Sequence, residues 1–482
     1  MYKAQLLIEG RDVDASNGAA FERKNPVTGE VATRAASASV ADANAAVDAA
    51  ARAFPAWSSL GPGARRQKLS AAAAALRGVA NELAARVSAE TGATLGWGHF
   101  NVFLAASMLD EAAALTTQVA GEVIPSDHPG VLALAVRQPA GVVLGMAPWN
   151  APVILGVRAL ATPLACGNTV VLKASEQCPA THRLIVEALS SALPAGVVNV
   201  VIHSAENAPA IVEALIAHPA VRRVNFTGST RVGRIVGSLA GKHLKPVVLE
   251  LGGKAPLVVL DDADIGAAVD AAVFGSFMNQ GQICMSTERI VVDQKIADEF
   301  VTRFRDRVAA LRVGPPTDPQ TQIGALVDGV TSDKLRTLIA DAVERGAKVV
   351  VGGAGEGAYF KPTVVDGVTR DMKLFREESF GPVVGVIRVA DVEEAIATAN
   401  DSEYGLSAAV FGRDVGRALQ VAKRIDSGIC HINSATVGDE AQMPFGGTKA
   451  SGVGRFGGRA GIHEFTDLRW ITVSTEARHY PI

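Results

Sequence analysis

The chain has 482 residues, of which 48% are hydrophobic and 20% charged, with a formal net charge of -3. That length predicts two or more compact lobes with ample core, and the balance leaves neither the basic footprint of a nucleic-acid binder nor the acidity of a disordered chain. Four cysteines (Cys166, Cys178, Cys284, Cys430) form no C-x-x-C pair and no zinc spacing, so no metal site is expected and a reduced, cytoplasmic compartment is the simplest home.

The N-terminal MYKAQLLIEGRDVDAS lacks the apolar core and cleavage site of a signal peptide. Residues 40 to 120 are Ala-rich and predict helices, VADANAAVDAAARAF being the first clear one. The segment 122 to 139 is strand-like and stands apart, as does the tail from 461 to 482; exposed pieces of this kind pair with another element or subunit. Gln138 to Val157 carries no charge and holds Pro139, Pro148, Asn150 and Pro152. A strand running into a loop and a buried helix is predicted there, not a membrane span.

From about residue 140, short apolar runs alternate with helical patterns: AGVVLGMA, VILGVRALATPLA, TVVLK, VVNVVI, RRVNFTG and KPVVLELGG. β-branched runs separated by helices predict a doubly wound parallel sheet that binds ligands at the carboxyl ends of its strands. TVVLKASE puts Lys173 at a strand end and Glu176 at the turn that follows. The pair can bond ribose hydroxyls, or it can be an ordinary solvated salt bridge. In FTGSTRVG, Gly228, Ser229 and Gly233 surround a helix start whose backbone N–H groups can meet an anion. A P-loop is excluded there, since Arg234 and Ile235 stand where Lys and Ser or Thr are needed.

Glu250 interrupts an apolar strand end ahead of Gly252 and Gly253; such a carboxylate has a raised pKa and can take a proton near neutral pH, or it can be a structural group with a strong partner. After Gly253 a second alternating series begins, predicting another α/β lobe with its own sheet. It contains NQGQICMSTER, in which Cys284 has no local partner. Free cysteines are commonly buried structural thiols, so residues elsewhere must decide its role.

Taken together, PWN (148 to 150), KASE (173 to 176), FTGSTRVG, LELGGK (249 to 254), GQIC (281 to 284), EESFGP (377 to 382) and PFGGTKASGVGR (444 to 455) resemble the NAD(P)-dependent aldehyde dehydrogenases. The motifs occur in that family's order and spacing over essentially the whole chain. The resemblance implies an aldehyde dehydrogenase-like α/β fold: a Rossmann-like NAD-binding lobe (1–121 and 140–252), a catalytic lobe (253–460) and a small oligomerisation arm (122–139 and 461–482). It also implies a homodimer or homotetramer.

The resemblance further implies that Cys284 attacks the aldehyde, Asn150 and the Cys284 N–H hold the oxyanion, and Glu250 activates water to release the acid. Lys173 and Glu176 match adenosine-ribose contacts and Ser229 a pyrophosphate contact. Trp149 lies in the matching pocket loop, and Glu378 and Phe380 match the nicotinamide side. The Glu176 carboxylate repels a 2′-phosphate, which favours NAD; Lys173 offsets part of that repulsion and leaves NADP open.

Two departures stand out. Ala159 and Phe456 replace a Lys and a Glu that many members carry near the base, so Glu250 would rely on water. Arg158 stands where the wider family often has an apolar or aromatic residue. It is either a structural ion pair or a contact to an oxygen substituent of the substrate. Ile283 and Met285 flank the nucleophile as apolar pocket walls or as ordinary core. Within the family the likeness is to bacterial enzymes acting on aromatic aldehydes, carried by GQICMSTER, NFTGSTRVG, CHINSATVGDEAQMPFGG and the terminal RHYPI. A vanillin-like substrate is implied, with salicylaldehyde or benzaldehyde as the alternative. A CoA-acylating enzyme is disfavoured by Glu250, and a non-catalytic protein by the joint presence of Cys284, Glu250 and Asn150.

Overall fold

A computed structural model describes residues 1–477 and 480–482. Arg478 and His479 of the RHYPI tail lie outside the described residues. The Ala-rich stretch forms four helices, Val40–Ser58, Pro62–Gly78, Ala80–Thr91 and Leu95–Leu115. The first starts at a capping box: the Ser39 hydroxyl accepts from Asp42 N while the Asp42 carboxylate accepts from Ser39 N.

The alternating series builds an eight-stranded sheet. Across it run Gly452–Val453, Val247–Glu250, Val221–Thr227, Val142–Met146, Thr169–Lys173, Val198–Val201, Leu6–Ile8 and Arg11–Val13. The five central strands pair in parallel and the outer ones antiparallel. Val142–Met146, earliest in the chain of those five, lies in their middle; the next two add on one side and the last two on the other. Its five residues are all buried, as an apolar run covered on both faces requires. The helix Pro152–Ala165 packs on Pro179–Ser190, while Val40–Ser58 packs on Ala208–Ala217. The direction of strand addition reverses between Val142–Met146 and Val221–Thr227, which opens a crevice at their carboxyl ends.

A second sheet of seven strands follows: Lys348–Val351, Thr363–Asp366, Val383–Val389, Thr287–Asp293, Ala255–Val259, Ser407–Phe411 and Ile429–Ile432. All pair in parallel except the first. The fold is therefore two doubly wound α/β lobes. The chain then crosses back: Gly452–Val453 closes the edge of the first sheet against Leu249 and Glu250, and Phe445 and Phe456 join the first lobe's core. The stretch 253–460 is thus not confined to one sheet. A Cβ on Gly452 would sit 1.9 Å from the Leu249 carbonyl oxygen, so only glycine admits this crossing.

Glu122–Ile124, Val131–Pro139 and Thr466–Ser474 form a separate antiparallel sheet. It exposes Val123, Leu468 and Trp470. Residues 138 to 157 form a strand end, a strand, a loop and a buried helix beginning at Pro152, whose missing N–H costs nothing at a first helical position. Among the described residues, no helix is long and apolar enough to cross a membrane.

Candidate active site

Cys284 is delivered by a turn that the backbone alone would not adopt. Asn279, Gln280 and Gly281 have φ of 49°, 58° and 68°, three successive residues in the left-handed region. Two of them carry a Cβ that disfavours it. Buried side-chain bonds hold the turn there. Gln280 Nε2 donates to Ala325 O (3.1 Å) and its Oε1 accepts from Gly324 N (3.0 Å). Gln282 Oε1 accepts from Val327 N (3.1 Å), and Asn279 Nδ2 donates to Asn150 O (2.9 Å). The strand end before Ala255 lies directly against the nucleophile's backbone: a Cβ on Gly253 would fall 2.2 Å from the Cys284 carbonyl oxygen.

Asn150 ends the loop that follows Val142–Met146. Its carbonyl accepts from Trp97 Nε1 (3.0 Å) as well as from Asn279, and its own Nδ2 donates to Gln282 O (2.9 Å). An amide nitrogen carries two hydrogens. The Gln282 carbonyl, two residues before Cys284, fixes one and leaves the other for an oxygen at the reacting carbon.

Glu250 closes the strand Val247–Glu250 and is 2% exposed. Neither carboxyl oxygen has a hydrogen-bond partner. Burial holds its pKa well above the ordinary carboxylate range, Arg158 and Arg455 pull it down, and Asp439 pushes it up. Ala159 and Phe456 are buried and apolar, so the accessory residues of many relatives are not replaced by other polar groups at those positions. A Cβ on Gly446 would fall 2.8 Å from Glu250 Oε1; glycine there gives the carboxylate room. The Cys284 thiol is pushed up to about 12, by burial first and then by the charges of Glu250 and Glu378, with Arg158 acting the other way.

Cys284 and Asn150 open into a cleft of about 370 Å³ at the crevice predicted by the strand order, lined also by Trp149, Gly228, Ser229, Glu378 and Phe380. Ser229 caps the helix Thr230–Lys242, its Oγ accepting from Val232 N (3.4 Å), so a helix N-terminus faces the cleft. Gly233 serves packing instead: a Cβ there would lie 2.3 Å from Leu251 Cδ2. The Trp149 and Phe380 rings meet edge to face at 5.8 Å. Glu378 Oε1 accepts from Gly253 N (2.9 Å), and burial followed by the neighbouring Glu288 charge brings its pKa up to about 7.

Lys173 lies level with Met146 and Val201 at the same carboxyl edge of the sheet. Its Nζ is 4.0 Å from Glu176 Oε2. Burial lowers the Lys173 pKa and Glu176 opposes that shift. Glu176 borders a separate open cavity with Ser37, Ser204 and Asn207. Thr331 and Lys334, which no motif pointed to, also line the Cys284 cleft; both sit on the helix Gly329–Glu344, nearly fifty residues beyond Cys284, with no local pattern to mark them.

Arg158 is 6% exposed and forms an ion pair with Asp439. Its guanidinium stacks 4.1 Å from the centre of the Phe445 ring. The ion-pair reading of this residue therefore has its partner, 281 residues away in sequence. Ile283 and Met285 are buried in the first lobe's core and do not line the cleft. The Met285 carbonyl accepts from Thr436 Oγ1 (2.7 Å).

Comparison with known proteins shows the family. The profile of the aldehyde dehydrogenase family matches residues 13–471. Vanillin dehydrogenase of Pseudomonas fluorescens is 59% identical over 483 residues, covering 100% of both chains. Salicylaldehyde dehydrogenase of Pseudomonas putida is 48% identical over 481 residues, covering 99% of this chain and 100% of that one. The crystal structure of a salicylaldehyde dehydrogenase from Pseudomonas putida G7 complexed with salicylaldehyde superimposes with a TM-score of 0.98 at 49% identity, with 100% of each chain covered.

Proposed function

Because this chain belongs to the aldehyde dehydrogenase family, we propose that it oxidises an aromatic aldehyde, vanillin or a close relative, to the carboxylic acid with NAD as the acceptor. The observation that carries the reaction is a thiol at Cys284 and an anchored amide at Asn150 lining one cleft, with the unpartnered carboxyl of Glu250 near enough for its charge to act on that thiol. The aromatic substrate is supported by the full-length likeness to enzymes named for vanillin and salicylaldehyde.

Cys284 adds to the aldehyde carbon as its proton leaves, and the free amide hydrogen of Asn150 with the Cys284 N–H stabilises the oxygen that gains charge. A nicotinamide held by Glu378 and Phe380 would supply the hydride acceptor for that carbon. A thioester then remains on Cys284, and Glu250 draws a proton from the water that cleaves it. A carboxyl held above its ordinary pKa suits that work near neutral pH. With Ala159 and Phe456 apolar, the proton leaves through water.

The cofactor's requirements suit the residues present. The Ser229-capped helix end receives the pyrophosphate, Lys173 and Glu176 the adenosine ribose, and Glu378 and Phe380 the nicotinamide side. Glu176 repels a 2′-phosphate, which makes NAD preferred over NADP. Residues 1–121 and 140–252 hold the cofactor, and 253–460 supply the nucleophile. The arm, 122–139 with 461–482, joins subunits through the exposed Val123, Leu468 and Trp470 into a homodimer or homotetramer. Four free cysteines fit a cytoplasmic location.

The test is NADH formation with vanillin, salicylaldehyde, benzaldehyde and a long aliphatic aldehyde, with and without CoA. Turnover of the aromatic aldehydes without CoA is expected. Equal turnover of the aliphatic aldehyde would remove the aromatic assignment, and an absolute need for CoA would replace hydrolysis by acyl transfer.

A further inference from the structure

Residues 378 to 380 reach the cleft in a conformation they do not favour by themselves. Phe380 has φ of 51°, in the left-handed region that bulky side chains avoid. What holds it is a carboxylate from behind. Glu288 Oε1 accepts from Ser379 N (3.0 Å) and Phe380 N (3.0 Å), and its Oε2 accepts from Ser379 N (2.7 Å). Lys254 Nζ donates to Glu288 Oε2 (2.6 Å) and to Ser379 Oγ (3.2 Å). The Lys254 and Glu288 side chains are 0% and 4% exposed, so this is a buried, hydrogen-bonded junction and not a surface pair.

The segment carrying Lys254 also seats the neighbouring carboxylate. Gly253 N donates to Glu378 Oε1, and Gly252 leaves the space in which a Cβ would lie 2.9 Å from Glu378 Oε2. One strand end thus holds Glu378 directly and, through Lys254 and Glu288, holds Ser379 and Phe380. Glu288 follows Cys284 by four residues, so the strand Thr287–Asp293, which directly follows the nucleophile's turn, carries the group that sets this loop.

We propose that Glu288, paired with Lys254, is a positioning residue for the cofactor: it fixes the main chain of Ser379 and Phe380 so that Glu378 and the Phe380 ring face the bound nicotinamide. This rests on the cofactor reading given above. Buried ion pairs stabilise folds weakly compared with apolar packing but enforce one geometry. A geometry imposed on a strained aromatic residue at a cleft wall is where that property has a use.

The test is a pair of variants, Glu288→Gln and Ser379→Ala, in the full chain, each examined for KM of NAD, KM of aldehyde, and NADH affinity by quenching of protein fluorescence. Gln removes the charge that joins Lys254 to two backbone N–H groups; Ala removes only the Lys254 contact to Oγ. NAD KM and NADH Kd are expected to rise roughly tenfold in Glu288→Gln and about threefold in Ser379→Ala, with aldehyde KM within about twofold of wild type. A purely structural role would lower the folded fraction and leave those constants unchanged. If Glu288→Gln does not fold, Ser379→Ala decides alone. Cofactor constants within about twofold of wild type in the folded variants would overturn the proposal. Wild-type protein that fails to bind NADH would instead overturn the cofactor reading on which it rests.

Discussion

Replacing Glu250 by Gln separates the two halves of the proposed reaction and also tests the environment of the base. Gln keeps the size of the side chain but cannot take a proton from water, so thioester hydrolysis loses general-base catalysis, roughly 10²- to 10⁴-fold. Thiohemiacetal formation and oxidation depend on Cys284 and Asn150, so a burst of NADH close to one per active site is expected before the slow steady state. Stability supplies a second reading. Glu250 is buried without a partner and its pKa in the folded chain lies above its ordinary 4.5. Between those two values the native chain binds one more proton than the unfolded chain, so stability falls as pH rises. That stability is fully present below 4.5 and is lost as pH climbs toward the raised folded value. The Gln variant has no such loss, so its Tm advantage over wild type grows from about pH 5 to about pH 8. The kinetic assay is stopped-flow NADH absorbance; the stability assay is thermal unfolding at both pH values. A steady-state loss under about tenfold, or a missing burst, would refute the assigned role. An equal Tm difference at both pH values would refute the environment.

Asn150→Ala removes one oxyanion donor and is expected to lower kcat by about 10²- to 10³-fold in steady-state assays. Arg158→Leu leaves the largely buried Asp439 without its partner, which costs up to about 3–5 kcal/mol in denaturant unfolding; adding Asp439→Leu recovers most of it. Activity on salicylaldehyde and benzaldehyde should fall by the same factor in Arg158→Leu, whereas a selective loss for the hydroxylated ring would indicate a direct substrate contact. Gly253→Ala sets a methyl against the Cys284 carbonyl oxygen at 2.2 Å, and is expected to abolish turnover even where folded protein is recovered. With its thiol pushed up to about 12, ligand-free Cys284 should be alkylated by iodoacetamide more slowly at neutral pH than free cysteine; a half-maximal rate near neutral pH would contradict this.

The strand runs TVVLK, VVNVVI and RRVNFTG were legible as a doubly wound sheet because apolar β-branched residues bounded by helices have few other solutions. The order of those strands, and hence the crevice, follows from packing between elements that no single run contains. Glu250 and Lys173 stood out because a charge at a strand end is a local signal, whereas Glu378 was marked only by the family resemblance. Asp439 beneath Arg158 and Glu288 behind Phe380 gave none: their partners lie 281 and 92 residues away. Ile283 and Met285 show the reverse case. Flanking the nucleophile made them pocket candidates, but the left-handed turn at Asn279–Gly281 aims Cys284 at the cleft and buries its neighbours in the core.

The covalent intermediate is the most direct test of the account. Glu250→Gln protein incubated with NAD and vanillin, quenched in acid and digested, should carry the acyl group of the aldehyde on the peptide containing Cys284. The adduct should vanish when Cys284 is also replaced by Ala. NADH formation without any adduct, or with the acyl group on Cys166, Cys178 or Cys430, would contradict it.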